Sequence, residues 1–116
     1  MRFAIAASGS GLDGSVAEHF GRCPNFVLIE AEDKEITKYE IVQNPYKDDH
    51  MPFEVPKFIE GLKVECLISG GIGPRAIEAL DSKGIGVVLA PGMNVKQAAL
   101  DFLAGKLKRS ENSCHH

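Results

Sequence analysis

The sequence contains no tryptophan, and only 7% of its 116 residues are aromatic. It has no apolar run of membrane-spanning length and no basic segment followed by an apolar signal core at its N-terminus. The formal charge of -3 provides no general attraction for nucleic acid or anionic lipid. We therefore expect a cytoplasmic protein with no membrane or nucleic-acid partner, in which any anion site is local.

Cysteine is sparse, with three residues at wide spacing, Cys23, Cys66 and Cys114. An odd number of dispersed cysteines favours reduced thiols over a disulfide framework. The C-x-x-C and H-x-x-x-H spacings of a closed zinc site are also missing. The terminal Cys114, His115 and His116 offer ligands for a soft metal, and the sequence leaves open whether they are native and part of a site.

The composition that is present belongs to an ordinary folded protein, with 44% hydrophobic and 25% charged residues. A chain of this length is the common size of one domain and buries about two-thirds of its unfolded surface. We expect a single domain at residues 1–107 and a flexible C-terminal tail at residues 108–116.

The order of apolar segments predicts a strand, a hairpin, and then alternating strands and helices. The predicted strands are Arg2–Ala7, Asn25–Ala31, Glu35–Val42, Val64–Ser69 and Gly86–Ala90. The predicted helices run from Phe53 to Gly61, from Pro74 to Gly84 and from Asn94 to Gly105. This pattern favours a three-layer α/β domain with a mixed five-stranded sheet, an antiparallel hairpin and parallel strands joined by helices. The polar segment 43–51 is expected to be an exposed loop.

Two glycine-rich loops, Ser8–Gly14 and Gly70–Gly73, follow predicted strands. Loops at the carboxyl ends of parallel strands are where open α/β sheets bind ligands. The first loop matches the G-x-G-x-x-G spacing of a dinucleotide site, but Gly21 and Pro24 leave room only for a short helical turn at Ser15–Phe20. The second loop opens a helix whose free N–H groups favour an anion, although tight strand-to-helix contact explains its glycines equally well.

Three side chains after the first loop carry candidate metal and ligand chemistry. His19 offers an imidazole, Arg22 a guanidinium fork for a carboxylate, and Cys23 a thiolate where a metal or positive environment lowers its pKa. A lone histidine is nevertheless more often a hydrogen-bonded structural residue than a ligand. Cys66 lies in an apolar strand, so we expect a buried and inert thiol.

Catalytic interpretations have little support in the sequence. A two-metal nuclease needs carboxylates on its first strand, but Phe3–Ala7 has none and the nearest acid is Asp13. Ser8 or Ser10 near His19 does not complete a series of nucleophile, base and acid. We therefore expect no catalytic turnover.

A set of short motifs extends over the chain from Phe3 to Leu107. It comprises Leu12-Asp13-Gly14-Ser15-Val16, His19-Phe20-Gly21-Arg22, Phe26, Asn44-Pro45, Gly71-Ile72-Gly73-Pro74-Arg75-Ala76, Gly84-Ile85 and Ala99–Leu107. This set resembles the dinitrogenase iron-molybdenum cofactor family. The resemblance implies a ribonuclease H-like three-layer fold and, for nitrogenase-associated members, non-catalytic binding of the iron-molybdenum cofactor or its iron-sulfur precursor during assembly. For small stand-alone members the ligand is an open question.

The resemblance and the loop positions together indicate a metallocofactor-binding accessory protein that contacts cofactor-assembly proteins. The expected cofactor-binding residues are Ser8, Gly11, His19, Arg22, Gly71 and Gly73, and the expected metal ligands are His19 and Cys23. These residues meet only if both loops leave the same edge of the sheet. The alternative is an enzyme or sensor that binds a nucleotide or another phosphate ligand at the two glycine loops. The sequence does not determine which metal is bound or the oligomeric state.

Overall fold

The computed structural model describes residues 1–9, 11–45 and 54–107. The strands are β1 (Arg2–Ala7), β2 (Asn25–Glu32), β3 (Glu35–Gln43), β4 (Cys66–Ser69) and β5 (Gly86–Leu89). The α-helices are α1 (Glu54–Gly61), α2 (Pro74–Ser82) and α3 (Val95–Leu103), and a 3-10 turn covers Phe20–Arg22. Each predicted strand and helix is therefore present, with small differences at the ends. The predicted tail at 108–116 and most of the predicted loop at 43–51 lie outside the described residues.

The strands form one sheet in the order β3-β2-β1-β4-β5. Strand β2 is antiparallel to both β1 and β3, whereas β4 is parallel to β1 and β5. The β2–β3 connection has positive φ angles at Asp33 (51°) and Lys34 (67°), as a tight hairpin turn with the right twist requires. The predicted hairpin and parallel strands are thus confirmed. Strand β1 is central, which explains why its residues are apolar on both faces.

Helices cover both faces of the sheet. On the first, the α1/α2 face, the buried cluster includes Phe26, Leu67, Val55, Ile59 and Leu80. On the second, the α3 face, it includes Phe3, Ile5, Ile68, Val95 and Ala98. The domain therefore has three layers, which confirms the ribonuclease H-like α/β arrangement that the sequence indicates. Cys66 is fully buried on the α3 face, as expected.

The sequence leaves room for a short helical turn at Ser15–Phe20, but most of this segment is not helical. Val16 instead forms an isolated bridge with Ala7, and Ser15 forms one with Asn94. These neighbours take the backbone groups that an intrahelical ladder would need, so only the 3-10 turn remains. Such long-range pairing is not visible in local sequence.

Candidate functional site

The segment that follows the first glycine loop meets the second glycine loop at the carboxyl end of the parallel strands. After the first loop the chain returns alongside β1, and the Ala17 N–H donates to the Ala6 carbonyl (2.7 Å). The Gly70 N–H donates to the Ala17 carbonyl (2.8 Å), and the Phe20 N–H donates to the Gly71 carbonyl (3.0 Å). The returning segment is therefore attached on one side to β1 and on the other to the loop after β4.

This close backbone approach explains Gly70 and Gly71. A Cβ atom at Gly70 would lie 2.7 Å from the Ala17 carbonyl oxygen, and one at Gly71 would lie 2.5 Å from the Glu18 carbonyl oxygen. By contrast, a Cβ at Gly73 would have no heavy atom within 4 Å. Steric contact therefore accounts for the first two glycines of this loop but not for the third.

The N-terminus of α2 presents open backbone donors. Gly73 is the N-cap residue, it provides no side-chain cap, and proline occupies the first turn. Within the described residues, the amides of Ile72, Gly73 and Arg75 donate no hydrogen bond. Because these amides and the helix dipole favour negative charge, this end of α2 is suited to an anion.

The N-terminus of α3 lies at the same edge of the sheet, but its donors are used within the protein. The Val95 N–H donates to the Gly14 carbonyl (2.8 Å), and the Lys96 N–H donates to the Leu12 carbonyl (3.1 Å). The Asn94 side chain accepts from the Gln97 N–H (3.2 Å). The first glycine loop therefore caps α3, and of these two helix ends only that of α2 is open to a ligand.

His19 lies beside the α2 end. It precedes the 3-10 turn, its carbonyl accepts from the Arg22 N–H (3.2 Å), and its side chain is exposed. Its two chain neighbours, Glu18 and Phe20, both contact Gly71. No hydrogen bond or ion pair in the described part of the chain involves the His19 imidazole. The ring is thus within reach of the Gly71 loop and is available to a ligand.

Two guanidinium groups come from the same pair of segments. Arg22 ends the 3-10 turn and Arg75 lies in the first turn of α2, and both are exposed. Among the described residues neither forms an ion pair. Glu18 adds one exposed carboxylate nearby. The two guanidinium groups and the open amides of α2 make this end of the sheet more favourable to an anion than the net charge of the chain, with Glu78 one turn further along α2.

Cys23, which the sequence predicts as a metal ligand, is buried in the protein core. Its side chain is only 2% exposed and belongs to the cluster on the α1/α2 face. The thiol donates to the Phe20 carbonyl (3.2 Å). Burial raises the pKa of this thiol from its ordinary 9.0 to about 12, although a hydrogen bond from Asn44 and backbone groups lower it in part. A metal binds the thiolate form of cysteine, and the raised pKa keeps this thiol protonated at neutral pH. We therefore leave Cys23 out of the proposed metal ligands.

The raised pKa makes stability pH-dependent. Between pH 9.0 and about 12 the thiol ionises in the unfolded chain but stays protonated in the folded one. The unfolded state is favoured in that range, so stability falls as pH rises. We expect the free energy of unfolding to drop by about 1 kcal/mol more between pH 8 and 10 in the native chain than in Cys23→Ala. Urea unfolding of both chains measures this difference, and parallel pH profiles would contradict the assignment.

Ser8 and Gly11 are not brought to the His19 turn. The Ser8 hydroxyl donates to the Ser15 carbonyl (3.2 Å) at the base of the first loop. Gly11 has a φ of 106°, and a Cβ there would lie 3.8 Å from the Ile41 side chain of β3. The tip of the loop therefore lies on the α3 face. We assign Ser8 and Gly11 to the structure of the loop.

Two asparagines that were not among the predicted site residues hold the loops in place. The Asn44 side chain is 3% exposed and donates to the carbonyls of Cys23 (2.9 Å) and Gly21 (3.4 Å). The Asn94 side chain donates to the Gly14 carbonyl (3.2 Å). The available sequence signal for Asn44 was its place in the Asn44-Pro45 motif. Its burial explains its hydrogen bonds, because a buried polar side chain needs partners.

A closed metal site is not found in the described residues, which contain no group of three or more His, Cys, Asp or Glu side chains suited to one ion. None of the described helices is both long and apolar enough to cross a membrane. No helix follows the first glycine loop directly, so the context of a dinucleotide fingerprint is also missing there.

Comparison with known proteins agrees with this fold. A sequence model for the dinitrogenase iron-molybdenum cofactor family matches residues 1–105. The crystal structure of the protein PH0822 is 33% identical, with a TM-score of 0.83 over 97% of this chain and 99% of that chain. The apo orange protein of Desulfovibrio gigas is 31% identical, with a TM-score of 0.78 over 95% and 92% of the two chains.

A third similar structure is an NMR structure from Thermotoga that is described as a candidate NifB protein. It is 30% identical to this chain, with a TM-score of 0.77 over 93% of this chain and 91% of that chain. The family match covers nearly all the described residues, including both glycine loops and the His19 turn. This chain therefore belongs to the dinitrogenase iron-molybdenum cofactor family.

Proposed function

We propose that this protein is a non-catalytic carrier that binds an anionic metallocofactor, an iron-molybdenum or iron-sulfur cluster or its precursor, and exchanges it with cofactor-assembly proteins. One observation carries the proposal: His19, whose exposed imidazole has no partner in the described residues, lies between two residues that contact Gly71, in the loop that leads to the open amides of α2. The family membership supports the class of ligand.

The residues at this edge fit such a cluster. A cluster whose other irons keep non-protein ligands needs few protein ligands, and an imidazole is a suitable one for iron. The amides of Ile72, Gly73 and Arg75 would donate to its negative surface atoms, in line with the α2 dipole. The guanidinium groups of Arg22 and Arg75 would pair with a carboxylate of an organic ligand on the cluster.

The openness of the site supports carriage rather than permanent storage. A structural metal site surrounds its ion with protein ligands, whereas here one exposed histidine is the candidate ligand. A cluster held by one side chain and several backbone donors can pass to a partner that offers more ligands. This feature favours an accessory protein over an enzyme with a resident cofactor.

Anaerobic titration tests the proposal. The purified protein is mixed with an iron-sulfur cluster or with iron-molybdenum cofactor and desalted, and the retained metal is measured by absorbance and metal analysis. We expect about one cluster retained per chain. In parallel, metal-free protein is heated with nucleotides and inorganic phosphate. Thermal stabilisation by these ligands without retention of any cluster would favour the phosphate-binding alternative and contradict the carrier.

A further inference from the structure

Strand β3 is one of the two edge strands of the described sheet, and it carries exposed apolar side chains. Tyr39 is 49% exposed and Ile41 is 41% exposed. Both lie on the α3 face, since they are opposite Ile29 and Val27 of β2, which belong to the buried cluster of that face. An edge strand with such side chains is a ready template for another strand.

The charges on the other face of β3 are arranged on either side of Tyr39. Lys38 precedes it and Glu40 follows it, and both side chains are exposed. Lys38 lies opposite Glu30 of β2, but Glu30 pairs with Arg2 instead (3.3 Å). Neither Lys38 nor Glu40 forms an ion pair with a described residue. Tyr39 is thus flanked, one residue away on each side, by one positive and one negative side chain that form no ion pair with a described residue.

We infer that two copies of this chain associate through β3, antiparallel, with Tyr39 on the two-fold axis. Residues that face each other across an antiparallel pair lie on the same side of the sheet. In this register Lys38 of each copy faces Glu40 of the other copy, so the interface contains two attractive Lys38–Glu40 pairs. Tyr39 faces its own counterpart, and the exposed apolar side chains of both copies come together on the α3 face.

The charges also select against the adjacent registers. Moving the axis by one residue to Lys38 places the two Lys38 side chains opposite each other, and moving it to Glu40 does the same for Glu40. Like charges directly opposite each other destabilise a strand pair. The Tyr39 register therefore lies between two repulsive ones, which is the pattern expected of a strand that recognises its own copy.

The dimer is expected to be weak and to leave the candidate site open. The β2–β3 register shifts between Glu30 and Ala31, and the bulge this creates at Thr37 limits the regular ladder next to the axis. We therefore expect dissociation in the micromolar range. The His19 turn is attached to Asn44, which follows the last residue of β3 and lies five residues after Tyr39, about 16 Å along the strand from the axis, so each copy can still bind its own ligand.

Charge reversal tests the pairing by sedimentation equilibrium over a concentration series. Lys38→Glu and Glu40→Lys should each weaken the dimer at least about tenfold, because two attractive pairs become repulsive. The double variant should restore the affinity to within about threefold of the native chain. Lys57→Glu, at an exposed position of α1, is the matched control and should leave the dimer unchanged. A monomer at all concentrations, or a dimer indifferent to these reversals, would overturn the inference.

Cysteine cross-linking tests the register itself. In a Cys114→Ser background, Tyr39→Cys should form a disulfide-linked dimer on mild oxidation, since facing residues have Cα atoms about 4.5–5.5 Å apart. Ile41→Cys should form no such disulfide, because position 41 of one copy would lie about 13 Å along the strands from position 41 of the other. Cross-linking of Ile41→Cys but not Tyr39→Cys would contradict this register.

Discussion

Gly71→Ala is expected to lower the free energy of unfolding by about 2–3 kcal/mol and to displace the His19 turn. The added methyl group would lie 2.5 Å from the Glu18 carbonyl oxygen, a backbone atom that cannot rotate away. Relief of that contact requires the two segments to separate, which breaks the 3.0 Å hydrogen bond from the Phe20 N–H to the Gly71 carbonyl. Urea unfolding measures the loss in stability, and amide chemical shifts measure the displacement.

Gly73→Ala is the matched control for this prediction. Gly73 belongs to the same loop, has an ordinary φ of -73°, and has open space where its Cβ would be. Alanine is a poorer N-cap residue than glycine by about 0.5–1 kcal/mol, so we expect a smaller loss of stability than for Gly71→Ala. Equal stability of the Gly71→Ala and Gly73→Ala variants would show that Gly71 does not contact the segment before the 3-10 turn as described.

His19→Ala is expected to lower cluster affinity at least about 100-fold, so that desalting removes the cluster. The imidazole is the candidate metal ligand beside the open α2 end, and its removal leaves only hydrogen-bond donors. Because the ring is exposed and makes no contact with the described residues that the fold needs, the variant should be as stable as the native chain. Metal analysis after anaerobic titration and desalting gives the affinity loss.

Two controls separate this site from the other histidines and the terminal cysteine. His50→Ala removes a histidine elsewhere in the sequence, and a chain truncated before Cys114 removes the Cys-His-His end. Both should retain the cluster as the native chain does. Loss of retention only on truncation would place the metal ligands in the tail and contradict the role of His19.

The strands and helices could be predicted because each has a periodic or continuous apolar pattern and a local start or stop signal. Asn94 illustrates this: asparagine followed by glutamine three residues later is typical of a capping box at the start of a helix, and the Asn94 side chain accepts from the Gln97 N–H. The box is only half formed, since the Gln97 side chain donates to Asp101 (2.7 Å) instead of returning to Asn94. Local patterns identify the element but not every partner.

The site was only partly predictable, because its geometry depends on contacts between distant segments. The contact between Ala17 and Gly70 fixes the position of the returning segment. It also explains why residue 70 is glycine, whereas the sequence supported anion binding and tight packing equally. Cys23 was predicted to join its sequence neighbours His19 and Arg22 in the site. Its thiol instead lies in the core, next to the Asn44 side chain. Burial of single side chains in a loop follows from such turns, which periodicity does not reveal.

The most direct test of the central claim is amide NMR of the isotope-labelled protein during anaerobic addition of an iron-sulfur cluster. A paramagnetic cluster broadens or shifts the amide signals nearest to it. We predict that His19–Arg22 and Ile72–Ala76 change first and most strongly, while the first glycine loop, Ser8–Gly14, changes less. Changes centred on Ser8–Gly14 or on residues 108–116, or the absence of any change, would contradict a cluster site between His19 and the N-terminus of α2.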